Sequence, residues 1–310
     1  MRLSVYLLLL TLLTPSLRPD EGMIPFSEFS RLNLQDLGLK MSPGDLYNPG
    51  GSSLLDGIIN LSGCTASFVS EKGLILTNYH CALRAIQSVS TPEKDYLRDG
   101  FSASRRDMEL PAPAYTVKIT ESYQDVSREV LSALKTGMTP QQRTRAIDRR
   151  IKNLELEAER RHPGKRAEIA EMFQGKTYML FISTTLKDIR LVYAPPRDIG
   201  EYGGEEDNWV WPRHTGDFTF LRAYVAPDGS SRTYHPENIP FTPRRHLKVC
   251  ARGVSEGDKV FVLGYPGRTY RHRPAAFLAY EEEIRMPQVV ELYARLITIM
   301  EEESRRSREV

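Results

Sequence analysis

The chain has almost no net charge. Its 42 Lys and Arg against 40 Asp and Glu leave +2 over 310 residues, which excludes the concentrated basic surface that nucleic acid or an anionic membrane would require. Metal-binding spacings are missing too. There is no C-x-x-C and no H-E-x-x-H, so neither a metal nor any other cofactor is expected. Cysteine is scarce: Cys64, Cys81 and Cys250 make an odd number, so at least one stays unpaired within the chain. There is no internal repeat, no low-complexity tract and, beyond the N-terminus, no apolar run long enough to cross a bilayer. What remains is 40% hydrophobic and 26% charged, the profile of a folded soluble protein with room for two domains.

The N-terminus, MRLSVYLLLLTLLTPSLRPDEG, carries Arg2, an apolar stretch from Leu3 to Leu13, then Pro15 and Ser16. The basic start and the short apolar region predict a secretory signal over residues 1–20, although no Ala-x-Ala cleavage site follows. The alternative is a buried N-terminal helix. Export predicts a periplasmic or secreted protein, free of the membrane after cleavage, in a compartment where disulfides persist.

Along the chain, residues 24–41 read as a helical lead-in and 42–53 as a turn-rich stretch. GCTASFVS (63–70) and LILT (74–77) alternate in polarity around Glu71-Lys72-Gly73, a hairpin signal. Thr139-Pro140-Gln141-Gln142 is a capping box, and Ile147, Ile151 and Leu154 recur at helical spacing after it. His162-Pro163-Gly164 breaks that helix, and a second is expected at about 165–174, giving a helical hairpin insert at about 139–174. Its alternating acids and bases read as a solvated face, not a nucleic-acid patch. Strands are expected at 177–184, 189–194, 217–226 and 258–266. From about Ala275 the pattern is helical, interrupted at Met286-Pro287, with Val289, Tyr293, Leu296 and Met300 on one face.

Two stretches carry candidate chemistry. In LILTNYHCA (74–82), polar Thr77, Asn78 and Tyr79 put His80 at a strand end. Cys81 pairing with Cys64 across a neighbouring strand would brace it. A zinc site would need more ligands at the right spacing, and a cysteine nucleophile would need a reduced thiol, which export argues against. The second stretch, GGEEDNWVWPRHTGDFTFLRA (203–223), gathers two glycines, both tryptophans, Arg213, His214 and Asp217. A carboxylate at the start of an apolar run can fix an imidazole's tautomer; the plainer reading of Asp217 is a turn cap after Gly216. A literal G-x-S-x-G occurs at Gly253–Gly257, but the elbow it imitates needs a strand before and a helix after, so Ser255 is not expected to be a nucleophile.

Taken together, GCTASFVSEKGLILTNYHCA, DIRLVYAPPRDIGEYGGEEDNWVWPRHTGDFTFLRAYV and KVFVLGYPGRTYRH closely resemble the dipeptidyl-peptidase 7/11 family of serine exopeptidases, peptidase family S46. The resemblance runs from about Asp45 through residue 273. It implies a mainly β fold with helical insertions: a chymotrypsin-like double β-barrel over residues 21–272 and the start of a helical cap domain over 273–310. It implies that His80 is the general base, that Asp217 orients it, and that Asn208 and Trp209 clamp the free α-amino group of a peptide substrate. A homodimer is also implied. In such enzymes the nucleophilic Ser follows the helical domain, so the chain ending at Val310 is expected to lack it and to be an inactive fragment. The alternatives are a non-enzymatic binder of peptide N-termini and, against the clamp motif, a trypsin-like endopeptidase.

Overall fold

The computed structural model describes residues 24–25, 28–29, 32–36, 38–48, 50–172, 175–202, 215–267 and 273–306. The expected signal at 1–20 lies outside them. The chain divides into two compact units, Met1–Tyr265 and Pro266–Val310.

The first unit is built on one antiparallel sheet. Its strands are β1 (Ile58–Leu61), β2 (Cys64–Phe68), β3 (Leu74–Thr77), β4 (Phe101–Ser102), β5 (Leu110–Pro111), β6 (Val117–Asp125), β7 (Arg166–Met172), β8 (Thr177–Leu186), β9 (Asp188–Ala194), β10 (Thr219–Val225) and β11 (Ile239–Pro240). The order is β4-β9-β10-β3-β2-β1-β6-β8-β7, with β11 beside β10 and β5 beside β9. The hairpin expected at 63–77 is present, with Ser67 opposite Leu76 and Phe68 opposite Ile75. Gly73 turns it at φ +64°, and a Cβ there would lie 2.8 Å from the Phe241 carbonyl oxygen, so both conformation and space call for glycine. Alternation along the central strands puts Ile59, Phe68, Ile75, Val117, Leu221 and Ala223 into one core.

Three expectations need correcting. The described residues of 24–41 hold a 3₁₀ turn at Glu28 and Phe29 and otherwise turns and irregular chain, with no α-helix among them. Phe29 and Leu34 are nevertheless buried, in a small cluster with Leu46. The segment expected as a second helix at 165–174 is strand β7. In Arg166-Ala-Glu-Ile-Ala-Glu-Met, Ala167 and Ile169 alternate inward, and that period of two wins over the helix-favouring composition. Residues 258–266 form no strand. Val260 and Val262 are exposed because no described segment pairs with them. The far end is anchored: Leu263 packs against the cluster of Phe29, Leu34 and Leu46, Tyr265 N–H donates to Thr65 Oγ1 at 2.8 Å and its hydroxyl meets Thr120 Oγ1 at 2.8 Å.

The helices of this unit support the sheet. α1 (Tyr79–Val89) follows β3 directly. α2 (Pro140–Arg161) starts at the expected capping box, with Thr139 as N-cap, and stops at His162. Leu154 and Ala158 on α2 pack against Ala167 and Ile169 of β7 and Leu180 and Ile182 of β8. The acids of α2 are not all solvated decoration. β7 is an edge strand, and Glu155 and Glu159 accept the N–H groups of Ile169 at 2.9 Å and Ala167 at 3.3 Å. A helix thereby closes an edge that would otherwise invite another strand.

The second unit is helical. A helix over Ala275–Tyr280 runs through a π turn, Glu281–Arg285, into α3 (Met286–Arg306). The helix is therefore not broken at Met286-Pro287. Pro287 would clash with the carbonyl four residues back in a tight α turn, and the wider turn, where Met286 N–H reaches Glu281 O, accommodates it. Tyr293, Leu296 and Met300 on α3 are exposed.

Candidate active site

The sequence places His80 at a strand end; the structure places it one step further on. β3 ends at Thr77, Asn78 is the N-cap, and His80 is the second residue of α1. Tyr79, read as polar, is fully buried with Ile86, Leu191 and Ala194. Burial raises its phenol above the ordinary range. The buried Tyr79 ring anchors the first turn, and the next residue, His80, faces outward with a side chain 62% exposed.

Asp217, just before β10, meets that turn from across the sheet, where β10 pairs with β3. Its Oδ2 lies 2.9 Å from His80 Nδ1, and its Oδ1 accepts the His80 backbone N–H at 3.2 Å. Asn78 Nδ2 donates to the Asp217 carbonyl and to Oδ2, both at 3.1 Å. One carboxylate thus caps a helix N-terminus, where an anion is favoured, and holds the imidazole on that helix. With the proton on Nδ1, such a pair leaves Nε2 open to take another.

The residues before Asp217 hold it in place. Gly216 N–H donates to Ile199 O at 2.9 Å, and Thr215 Oγ1 donates to Ile199 O at 3.2 Å and to Gly200 O at 3.1 Å. A Cβ on Gly216 would overlap Ile199 Cγ2 and sit 3.2 Å from Ile199 O. Gly216→Ala is therefore expected to push Asp217 away from His80. In an active chimera carrying this chain, kcat is expected to fall about 100-fold, as for a misplacement near 1 Å, while the melting temperature drops only modestly. An unchanged kcat would show that Ile199 yields and that Gly216 does not set the geometry.

Cys64 and Cys81 form a disulfide with Cα atoms 6.1 Å apart, tying β2 to the first turn of α1. Tyr115 O–H donates to the Cys81 carbonyl at 2.9 Å, a second tie on the same turn. Cys250 is free and exposed. Ser255 lies in an exposed turn between Gly253 and Gly257, its N–H donating to Asp258 Oδ2 at 2.9 Å, with neither strand nor helix adjoining. Asn208 and Trp209, with Trp211, Arg213 and His214, lie outside the described residues. Among the described residues no serine hydrogen-bonds to His80, and no helix is long and apolar enough to cross a membrane.

Sequence reasoning missed α1, the role of Asn78 and the packing need at Gly216. A signal for α1 was there: Leu83 and Ile86 fall three residues apart after Asn78, a favoured N-cap.

Comparison with known proteins gives the chain's relatives. The peptidase S46 family model matches residues 19–310. The chain is 40% identical over 266 residues to dipeptidyl-peptidase 7 of Capnocytophaga gingivalis, covering 84% of this chain and 37% of that protein. It is 38% identical over 269 residues to the Asp/Glu-specific dipeptidyl-peptidase of Porphyromonas gingivalis, covering 83% and 37%. The crystal structure of Porphyromonas endodontalis DPP11 in complex with the dipeptide Arg-Asp superposes with a TM-score of 0.81 at 34% identity, covering 93% of this chain and 42% of that one. The chain thus spans little more than a third of the length of the curated relatives it matches.

Proposed function

The chain belongs to the peptidase S46 family, and from that premise we propose that it carries the base and the orienting carboxylate of a serine dipeptidyl-peptidase. The observation that carries the proposal is the 2.9 Å contact between His80 Nδ1 and Asp217 Oδ2. In this reading Asp217 keeps the proton on Nδ1 and offsets the charge of the imidazolium. Nε2 takes the proton of a serine hydroxyl as it attacks the peptide carbonyl, then returns it to the leaving amine.

The serine is proposed to come from sequence that the longer relatives carry and these 310 residues do not. Asn208 and Trp209 are proposed to hold the α-amino group of the substrate: an amide carbonyl accepts from an ammonium and an indole face attracts it. Residues 21–272 then correspond to the double-barrel catalytic region and 273–310 to the start of a helical cap. Export to the periplasm or beyond is proposed from the N-terminal signal pattern, and a homodimer from the family resemblance. Release of dipeptides is the activity common to the relatives' names.

The test is a chimera in which this chain replaces the segment it matches in dipeptidyl-peptidase 7 of Capnocytophaga gingivalis. It is expected to cleave dipeptidyl-naphthylamides with a free N-terminus and to spare N-acetylated ones. The 310-residue chain alone is expected to cleave neither. Turnover by the chain alone that His80→Ala abolishes would overturn the assignment of the nucleophile. Cleavage of N-acetylated substrates would favour an endopeptidase.

A further inference from the structure

The disulfide and the imidazole lie together. Both sulfurs, Cys64 Sγ and Cys81 Sγ, and a ring nitrogen of His80 all lie within 4.8 Å of one another. Ligand spacing in the sequence gave no hint of this, because Cys64 comes from β2 and the other two from the first turn of α1. Two thiolates and one imidazole, with a fourth position open to water, form a recognised set for Zn²⁺. With Zn–S near 2.3 Å and Zn–N near 2.0 Å, ligand atoms at tetrahedral corners stand roughly 3.5 Å apart. The three atoms lie within 4.8 Å of one another, so reaching that spacing takes reduction of the disulfide, which frees the sulfurs to part, and a shift of roughly an ångström by the ring.

We propose that the chain with its Cys64–Cys81 disulfide reduced binds one soft divalent cation, Zn²⁺ in kind, through Cys64, Cys81 and His80. The reductant is a dithiol. It transfers two electrons and two protons to the cysteine sulfurs, breaking their S–S bond, and is left as a cyclic disulfide. The cation then displaces the two thiol protons and binds the thiolates. The backbone that presents the ligands does not depend on the disulfide alone. Thr77 Oγ1 donates to Thr65 O at 3.0 Å, Tyr115 O–H holds the Cys81 carbonyl, and Asp217 caps the turn that carries His80. Ligation through Nε2 keeps Asp217 on Nδ1, the carboxylate–histidine–metal arrangement that raises ligand basicity. Ligation through Nδ1 displaces Asp217. In either case the consequence for activity rests on reading His80 as the base: the metal occupies that base, so the reduced metal-bound form is silent.

Binding is tested without any activity assay. The full 310-residue chain, with Cys250→Ser to remove the third thiol, is reduced with a dithiol, exchanged anaerobically into buffer and titrated with Co²⁺. The expected result is one Co²⁺ per chain with thiolate-to-cobalt charge-transfer absorption, none in the oxidised chain, and Zn²⁺ displacing the cobalt. His80→Ala keeps both cysteines and is expected to weaken binding at least about tenfold, in the range that loss of supporting ligands costs at metal sites. Three results overturn the proposal: no cobalt spectrum from the reduced chain, equal binding by the oxidised chain, or undiminished affinity in His80→Ala, which would mean the thiols bind from an unfolded segment. A spectrum obtained while the chimera proves inactive would count against the peptidase reading alone.

Discussion

Asp217→Asn in the chimera is expected to lower kcat for a dipeptidyl-naphthylamide by about 10⁴-fold with little change in melting temperature. The substitution keeps the size of the side chain. An amide oxygen can still accept the His80 backbone N–H that Oδ1 now accepts at 3.2 Å, so the cap on α1 survives. The other atom is the one that matters. Oδ2, 2.9 Å from Nδ1, is also where Asn78 Nδ2 donates. An amide has one acceptor and one donor group, and it cannot accept at both positions. With the oxygen turned to the backbone, its NH₂ faces Nδ1 and forces the proton onto Nε2, the nitrogen that must be bare. His80→Ala is expected to cost a similar amount, and the double variant little more, because residues that act as a unit lose their contribution together. A fall of less than tenfold for Asp217→Asn, in a chimera whose wild-type form is active, would remove Asp217 from the orienting role.

Much of this site was legible before any coordinates, but unevenly. The β2–β3 hairpin was readable because its turn chemistry is local: Gly73 stands five residues after the end of β2 and directly before β3. Helix α2 was readable because capping box and breaker both stand in sequence. His80 and Asp217 are 137 residues apart, and nothing in composition or period joins them; the place of Asp217 before an apolar run allowed an orienting role, and the family resemblance chose it over a turn cap. β7 was misread because Ala and Glu favour helices intrinsically, while its strand state is imposed from outside by pairing with β8 and by the glutamates of α2. Residues 258–263 erred in the other direction. Their Val-Phe-Val run has strand propensity, but a strand exists only with a partner, and none of the described residues supplies one. Gly216 looked like turn punctuation; its reason is the Ile199 side chain, which no sequence pattern announces. The polar core between β9 and β10 was not legible at all, since Asp188, Arg190, Glu109 and Arg222 are residue types usually exposed.

That polar core carries the largest expected effect on stability. Asp188 is 1% exposed. It holds Arg190 bidentately at 3.1 and 2.7 Å and accepts from Asn238 Nδ2 at 2.8 Å. Arg190 also donates to His235 O at 3.1 Å, and its guanidinium lies over the rings of Tyr224 at 3.8 Å and Tyr234 at 4.7 Å. Next to it, Glu109 accepts from Arg222 at 2.9 Å and from Tyr224 O–H at 2.7 Å. Asp188 and Tyr224 are paired across β9 and β10, so the network fastens the strand that begins just after Asp217. Asp188→Ala leaves a buried guanidinium with no counter-charge and removes one of the two acceptors of Asn238 Nδ2, the other being Thr233 O at 3.1 Å. The expected loss is about 3–5 kcal/mol in urea unfolding of the 310-residue chain, seen as a lower midpoint at unchanged slope. Asp188→Leu combined with Arg190→Met, which removes both charges and fills the space, is expected to restore most of that loss, because the desolvation cost of the ions disappears with them. A single variant costing under about 1 kcal/mol would mean that water or a neighbour reaches Arg190. A double variant as unstable as the single would show that the geometry of the pair, and not its unbalanced charge, holds β9 to β10.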